Sequence, residues 1–241
     1  MNVDKPISEA CFYINLDRSP ERKERFLQNV TEVKDWPFPE PIRWPGVEAE
    51  PPDFFQRKEP YHARKGAWSC FLAHLRIYEH CILHGLNSVM IFEDDVDFGP
   101  DFGIKSRAFY DAACKRYPDW QQLYFGGNHH FKPYAFDDEL VHCAGMCGGW
   151  AYMVRGVALS HIYEVFARRP DALCDDNLHM DVCWSTLHHS GIVQAIAPRY
   201  HLAGHRPGTS DRDKRMTWEH AEYFNRTDEE LLSSNNEELI P

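Results

Sequence analysis

The sequence has no run of apolar residues long enough to cross a membrane. A transmembrane helix needs roughly 18 or more apolar residues in succession, whereas the longest uninterrupted runs here, such as residues 89–92, have the length of a strand. The N-terminal segment carries Asp4 and Glu9 and lacks the apolar centre of a secretory signal. We therefore expect a cytoplasmic protein with no integral membrane segment.

Positive charge is also scarce. The 26 Lys and Arg residues are outnumbered by 37 Asp and Glu residues, which gives a formal net charge of −11 at pH 7. A chain of this sign lacks the basic surface that nucleic acids and anionic membranes require. We expect no nucleic-acid partner, and the charge favours a positively charged partner or a bound cation.

Several familiar catalytic motifs are missing. The glycine-rich phosphate loops of dinucleotide-binding and P-loop proteins are absent, as are G-x-S-x-G and H-E-x-x-H. The 8 cysteines form no paired C-x-x-C framework, and a chain of this length needs no disulfides, so we expect reduced, buried thiols. A metallohydrolase with a zinc site stays an alternative function. Its zinc ligands would come from pairs of His or Cys residues, for which we favour structural or surface roles. These pairs are His129 and His130, His188 and His189, His201 and His205, and Cys143 and Cys147.

Apolar periodicity predicts strands that alternate with helices. The predicted strands are 11–16, 42–44, 88–92, 122–125, 150–154 and 192–197, and the predicted helices begin after Ser19 and cover 66–85, 104–116, 156–167 and 176–190. This alternation favours one domain with an α/β sheet and helices on both faces. In such sheets, ligands bind beyond the carboxyl ends of the strands.

Four carboxylates follow the most apolar of these predicted strands. Glu93, Asp94, Asp95 and Asp97 come directly after the run 88–92. Their mutual repulsion would be removed by a divalent cation with oxygen ligands. If the extended backbone continues, Glu93 and Asp95 point to one side and Asp94 to the other. The alternative is an acidic turn at the strand exit, with one Asp capping a helix.

Four segments carry a resemblance to a known family. FYINLDRSPERKERF from Phe12, GAWSCFLAH from Gly66, SVMIFEDDVDF from Ser88 and GGWAYMVRGVALSHI from Gly148 together resemble glycosyltransferase family 25. That family includes bacterial lipooligosaccharide galactosyltransferases, which act in lipopolysaccharide biosynthesis, and animal procollagen galactosyltransferases. The resemblance implies a single Rossmann-like GT-A domain with a mixed, mostly parallel sheet, which we place at residues 1–226, before a polar, acidic and solvated tail at 227–241.

The same resemblance implies a function. We expect a hexosyltransferase that uses Mn²⁺ or Mg²⁺ to transfer galactose or glucose from a UDP-sugar to a hydroxyl of a glycan or protein acceptor. Galactosyltransferases of the family invert the anomeric centre by direct displacement, which needs one general base.

Matching positions imply the roles of individual residues. The EDD run takes the part of the D-x-D element, so that Glu93 and Asp95 would bind the metal and Asp94 the donor. A late histidine, His205, would complete the metal ligands, and Asp181 would be the catalytic base. The remaining donor-binding residues would be Asn15, Asp17, Arg18, Arg22 and Gly149. Apart from the resemblance, Arg206, Arg212 and Arg215 near His205 suggest a lid that closes over the diphosphate. The alternative for these three arginines is a surface loop.

One segment departs from the family pattern. Where the family has G-E-I-G-C-x-x-S-H, this chain has Ala67, Ser69 and Ala73, although Cys70 and His74 remain. We interpret His74 as a buried histidine that bonds to the backbone. These departures keep open a second function, a catalytically silent module that binds a sugar nucleotide or glycan.

Overall fold

The computed structural model describes residues 5–53, 61–168, 180–206 and 227–233. The strands are β1 (Ala10–Asn15), β2 (Ile42–Pro45), β3 (Ser88–Glu93), β4 (Val96–Phe98), β5 (Gln122–His129), β6 (Ala135–Phe136), β7 (Leu140–Cys143), β8 (Met146–Arg155), β9 (Ala195–Pro198) and β10 (Ala203–His205). The helices are α1 (Pro20–Glu32), α2 (Tyr61–Leu83), α3 (Phe102–Arg116), α4 (Gly156–Arg168), α5 (Met180–His189) and α6 (Asp228–Ser233).

An eight-stranded sheet lies at the centre, in the order β2-β1-β3-β8-β5-β9-β7-β6. The pairings orient six strands in one direction, and only β8 and β7 run the opposite way. The predicted fold class, a mixed and mostly parallel α/β sheet, is confirmed. A separate ribbon pairs β4 with β10 in antiparallel fashion.

The helices cover both faces of this sheet. Strand β3 shows why, since Val89 and Ile91 belong to one buried cluster and Met90 and Phe92 to the other. Alternate side chains of a strand point to opposite faces, so a strand buried on both sides is apolar throughout. The first cluster includes residues of α2, α4 and α5, and the second includes residues of α1 and α3.

The predicted helices and strands occur in the described residues, with their ends shifted. The predicted end of α2 at Gly85 is confirmed. Its backbone turns at Gly85, which has a φ of +65°, and the N–H of Leu86 bonds to the carbonyl of Cys81 at 2.9 Å. This is the helix end expected for a glycine. The prediction missed the short strands β4, β6, β7 and β10. The extended backbone does not continue past Glu93: Asp94 and Asp95 form a turn between β3 and β4, as in the alternative of an acidic turn at the strand exit.

The described part of the C-terminal segment, residues 227–233, differs from the solvated tail that the sequence predicts. Helix α6 lies within it, and Leu231 of that helix is fully buried. Arg199, which follows β9, pairs with Asp228 of α6. Within the described part of the chain, no helix is both long and apolar enough to cross a membrane.

Candidate functional site

The predicted site residues gather where two parallel strands end. Asn15 is the last residue of β1 and Glu93 the last of β3, and Ile14 pairs with Glu93 in the parallel register. The turn of Asp94 and Asp95 then leads into β4. The acidic run therefore lies at the carboxyl edge of the sheet, where α/β folds bind ligands.

Glu93, Asp95 and His205 form one group of candidate metal ligands. A carboxylate oxygen of each acid and one ring nitrogen of His205 all lie within 4.8 Å of one another. The antiparallel pairing of β10 with β4 brings His205 opposite Val96, directly after the acidic turn. Nε2 of His205 lies 3.0 Å from Oδ2 of Asp95, and Nδ1 donates to the carbonyl of Arg206 at 3.1 Å.

The group has the properties that a cation site needs. Oδ1 of Asp95 is buried and has no hydrogen-bond partner, and a buried polar atom without a partner is costly. Two carboxylates and an imidazole form a donor set that suits Mn²⁺. These residues fit the divalent cation that the family resemblance implies.

Asp94 and Asp95 have different pKa values because their surroundings differ. Burial raises the pKa of Asp94 to about 6, and the nearby guanidinium of Arg22 opposes this rise. Burial also acts to raise the pKa of Asp95, but His205 and Arg22 outweigh it and hold that pKa at about 2. Asp95 is therefore the more acidic of the two carboxyl groups. Burial acts to lower the pKa of His205, but the charge of Asp95 outweighs it and raises that pKa.

Arg22 and Asn15 hold the acidic turn from the side of β1 and α1. Arg22 forms ion pairs with Asp94 and with Asp95, the latter at 2.7 Å. Nδ2 of Asn15 donates to Oδ2 of Asp94 at 2.6 Å and to the carbonyl of Ser19 at 2.9 Å. Both residues therefore contact the site, and their partners there are carboxylates of the acidic turn.

Asp17 and Arg18 lie at the rim. Asp17 pairs with Arg43 and its side chain is 84% exposed. Arg18 pairs with Glu48, and both side chains are about half exposed. Arg22, in contrast, pairs with the acidic turn itself.

Gly149 and Asp181 approach from β8 and α5. A Cβ on Gly149 would lie 2.8 Å from Oε1 of Glu93, so the absence of a side chain allows the close approach. The preceding residue, Gly148, donates its N–H to Oδ2 of Asp181 at 3.1 Å, and Val182 donates to Oδ1 at 2.9 Å. Asp181 is half-buried at the start of α5 and adjoins the metal-ligand group through the glycine pair.

His74 is closer to the site than the sequence indicates. Its side chain is 1% exposed, and Nε2 lies 3.6 Å from Oε1 of Glu93. Nδ1 bonds to the hydroxyl of Tyr152 at 2.8 Å. The prediction that His74 is buried is confirmed. The prediction that it bonds to the backbone is wrong, because its partner is the side chain of Tyr152. Nothing in the sequence signals Tyr152.

The remaining histidine and cysteine pairs lie apart from the ligand groups. Two groups of three candidate metal ligands occur among the described residues, and His205 is the only member of the predicted zinc pairs in either. His188 is buried, and its Nε2 donates to Oε1 of Gln122 at 2.9 Å. None of the seven cysteines in the described ranges forms a disulfide, and Cys174 lies outside these ranges.

The predicted lid is described only at Arg206. Its backbone N–H donates to the carbonyl of Asp95 at 2.9 Å, and its guanidinium lies 3.8 Å from Oδ1 of Asp97. Arg212 and Arg215 lie outside the described residues, so the lid stays a prediction.

Comparison with known proteins finds similarity to one family. Residues 47–139 match the family described as "Glycosyltransferase family 25 (LPS biosynthesis protein)". Over 133 residues, 49% of this chain, the sequence is 34% identical to the human protein named "Inactive glycosyltransferase 25 family member 3" and covers 22% of it. Over 134 residues, 52% of the chain, it is 28% identical to "Procollagen galactosyltransferase 1" of Danio rerio, again covering 22%. The resemblance to family 25 is confirmed.

The chain spans about a quarter of the length of these curated relatives. Among solved structures, A197 from STIV matches 90% of this chain and 94% of its own with 13% identity, but the TM-score is 0.40. A similarity of that size does not bear on function.

Proposed function

We propose that this protein, a relative of glycosyltransferase family 25, is a metal-dependent hexosyltransferase of the cytoplasm. It transfers galactose or glucose from a UDP-sugar to a hydroxyl of a glycan or protein acceptor. The observation that carries the proposal is the convergence of Glu93, Asp95 and His205 at the carboxyl edge of the sheet, inside a chain related to sugar-transferring enzymes.

Glu93, Asp95 and His205 would hold Mn²⁺ or Mg²⁺. When bound, the cation offsets the negative charge that develops on the departing diphosphate. Arg22 would contribute in the same direction, because it already lies between Asp94 and Asp95 and its guanidinium is partly exposed. A charge-assisted hydrogen bond from such a guanidinium to a phosphate oxygen is short and strong.

Asp94 and Asn15 would fix the donor. Asp94 is buried and tied to Asn15, so its free lone pairs have a defined direction toward a ribose or sugar hydroxyl. Gly149 would let the backbone of β8 come close to the sugar, since the same glycine already leaves space beside Glu93.

Asp181 would remove the proton from the acceptor hydroxyl. Each of its oxygens accepts one backbone N–H, which fixes the carboxylate and leaves a lone pair on each oxygen for the acceptor. A general base acts at a heavy-atom distance of about 2.6–3.2 Å from the proton donor. One such base is sufficient for direct, inverting displacement without a covalent intermediate.

Donor binding tests this proposal first. The melting temperature is measured with UDP-galactose, UDP-glucose and a GDP-sugar, with and without Mn²⁺, because a ligand of the folded state stabilises it by mass action. A UDP-sugar with Mn²⁺ should raise the melting temperature of the wild type and not that of the Glu93→Ala/Asp95→Ala double variant. Asp97→Asn is the matched control, since Asp97 lies outside the ligand group and should leave the shift intact.

A second candidate function is the silent binding module. It is favoured by the name of the human relative, which is called inactive, and by Ala67, Ser69 and Ala73. The test is Mn²⁺-dependent release of UDP from the donor that binds. Release by the wild type that is lost in Asp181→Asn, while donor binding persists, supports the enzyme; donor binding with no release by the wild type supports the module.

A further inference from the structure

A second group of candidate metal ligands also includes Glu93. Sγ of Cys70, one ring nitrogen of His74 and a carboxylate oxygen of Glu93 all lie within 4.8 Å of one another. Cys70 and His74 are one turn apart on α2, so their side chains share one face of the helix. Glu93 is the only residue common to this group and the group with Asp95 and His205.

The position of the Nε2 atom of His74 suits metal binding better than hydrogen bonding. Nε2 is buried and has no hydrogen-bond partner. Its distance of 3.6 Å from Oε1 of Glu93 is too long for a hydrogen bond. It is close to the roughly 3.3 Å that separates a nitrogen and an oxygen bound to one tetrahedral zinc ion.

The other ring nitrogen is held as zinc-binding histidines require. Nδ1 lies 2.8 Å from the hydroxyl of Tyr152, which lies 2.7 Å from the hydroxyl of Tyr78. With the Nδ1 proton donated to Tyr152, Nε2 carries the lone pair on the side of Glu93. Zinc-bound histidines almost always donate their second N–H to an oxygen in this way.

The geometry points to a zinc site formed by Cys70, His74 and Glu93. A thiolate, an imidazole and a carboxylate are all zinc ligands, and three protein ligands leave a fourth position for water or substrate. The two negative ligands balance the charge of the ion. The harder group of Glu93, Asp95 and His205 lacks sulfur and suits a different metal, so the zinc site goes beyond the proposed function.

Metal analysis of the purified protein tests the site. Wild type, Cys70→Ser and His74→Asn are prepared from zinc-supplemented medium, dialysed and analysed by mass spectrometry for zinc. We expect about one zinc per chain in the wild type and at least about tenfold less in both variants. Cys114→Ser is the matched control, because Cys114 is also half-buried on a helix but belongs to neither ligand group.

Cobalt substitution identifies the ligand. Co²⁺ added to the metal-free protein should give a thiolate-to-cobalt charge-transfer band in the near ultraviolet for the wild type and for Cys114→Ser. Cys70→Ser should lose this band while far-ultraviolet circular dichroism shows that it stays folded. This near-isosteric variant keeps the test decisive even where His74→Asn fails to fold.

The contrary results are equally specific. A wild type that contains no zinc and takes up none would overturn the site. So would zinc that is lost in Asp95→Asn and retained in Cys70→Ser, since the ion would then lie in the other group. Manganese-dependent donor binding is measured in a separate experiment. The zinc site and the proposed function can therefore be refuted independently.

Discussion

Gly149 and Glu93 are so close that a side chain at position 149 would displace the Glu93 carboxylate. A Cβ at position 149 would lie 2.8 Å from Oε1 of Glu93 and 3.5 Å from Cε1 of His74. Real Cβ atoms do not approach a carboxylate oxygen so closely, so the carboxylate would have to move. This contact therefore links the backbone of β8 to the position of a proposed metal ligand.

Gly149→Ala should weaken manganese binding while the fold persists. The displaced Glu93 carboxylate would no longer be aligned with Asp95 and His205, and misplacing a ligand costs about tenfold or more in metal affinity. Free Mn²⁺ is measured by electron paramagnetic resonance during a titration. Gly156→Ala is the control, because a Cβ there meets nothing closer than 3.4 Å; equal affinities in the two variants would contradict the prediction.

Asn15 should be important for stability through its contact with Asp94. Asn15→Ala leaves Oδ2 of Asp94, the carbonyl of Ser19 and Nε of Arg43 without this partner. The loss of a buried polar partner costs about 1–3 kcal/mol in the free energy of unfolding. Urea unfolding measures it, and Asp17→Asn, at an 84% exposed side chain, should stay within about 0.5 kcal/mol of the wild type. Similar losses in both variants would show that the buried bond contributes nothing.

The site was more predictable than the strands that complete it. The run Ser88–Phe92 is apolar throughout because β3 is buried on both faces, and it ends at acids because the chain leaves the core there. The sequence thus located Glu93, Asp94 and Asp95 at the sheet edge. Strand β10 has only 3 residues and depends on its pairing with β4. Because that pairing is a tertiary contact, no local sequence pattern predicts the strand.

Other contacts depend on tertiary structure alone. His74 shares a helix face with Cys70, which the spacing shows, but its partner Tyr152 lies on β8, far along the chain. The pairing of Asn15 with Asp94 joins the ends of β1 and β3, and only the strand register establishes it. The acidic composition of the tail indicated solvent, yet Leu231 is buried because α6 packs an apolar side chain into the core.

Acid should destabilise the fold through His188. Burial lowers the pKa of His188 to about 3, whereas an unfolded histidine has a pKa of about 6.5. The unfolded state therefore binds the proton first, and the free energy of unfolding falls as the pH drops from about 6.5 toward 3, by up to about 1.4 kcal/mol per pH unit. Above this window the contribution of His188 does not change with pH.

Unfolding of His188→Gln by urea at several pH values isolates this effect. The variant should be less stable at neutral pH, because the N–H of Met146 and Oε1 of Gln122 lose their partner. It should also lose less stability than the wild type on acidification. His189→Gln, at an exposed neighbouring position, should keep the steep wild-type dependence, and the same dependence in all three proteins would exclude His188 as its source.

Replacement of His205 should weaken manganese binding without unfolding the ribbon. His205 reaches the acidic turn because β10 pairs with β4, and this pairing uses backbone bonds that survive in His205→Gln. The variant removes the only nitrogen ligand of the group and leaves both carboxylates, so we expect a loss of about tenfold or more in Mn²⁺ affinity. The stabilisation by a UDP-sugar with Mn²⁺ should fall in parallel, since both depend on the same ion. Asp97→Asn removes a nearby carboxylate that lies outside the group, and a larger loss there than in His205→Gln would place the cation elsewhere in the acidic run.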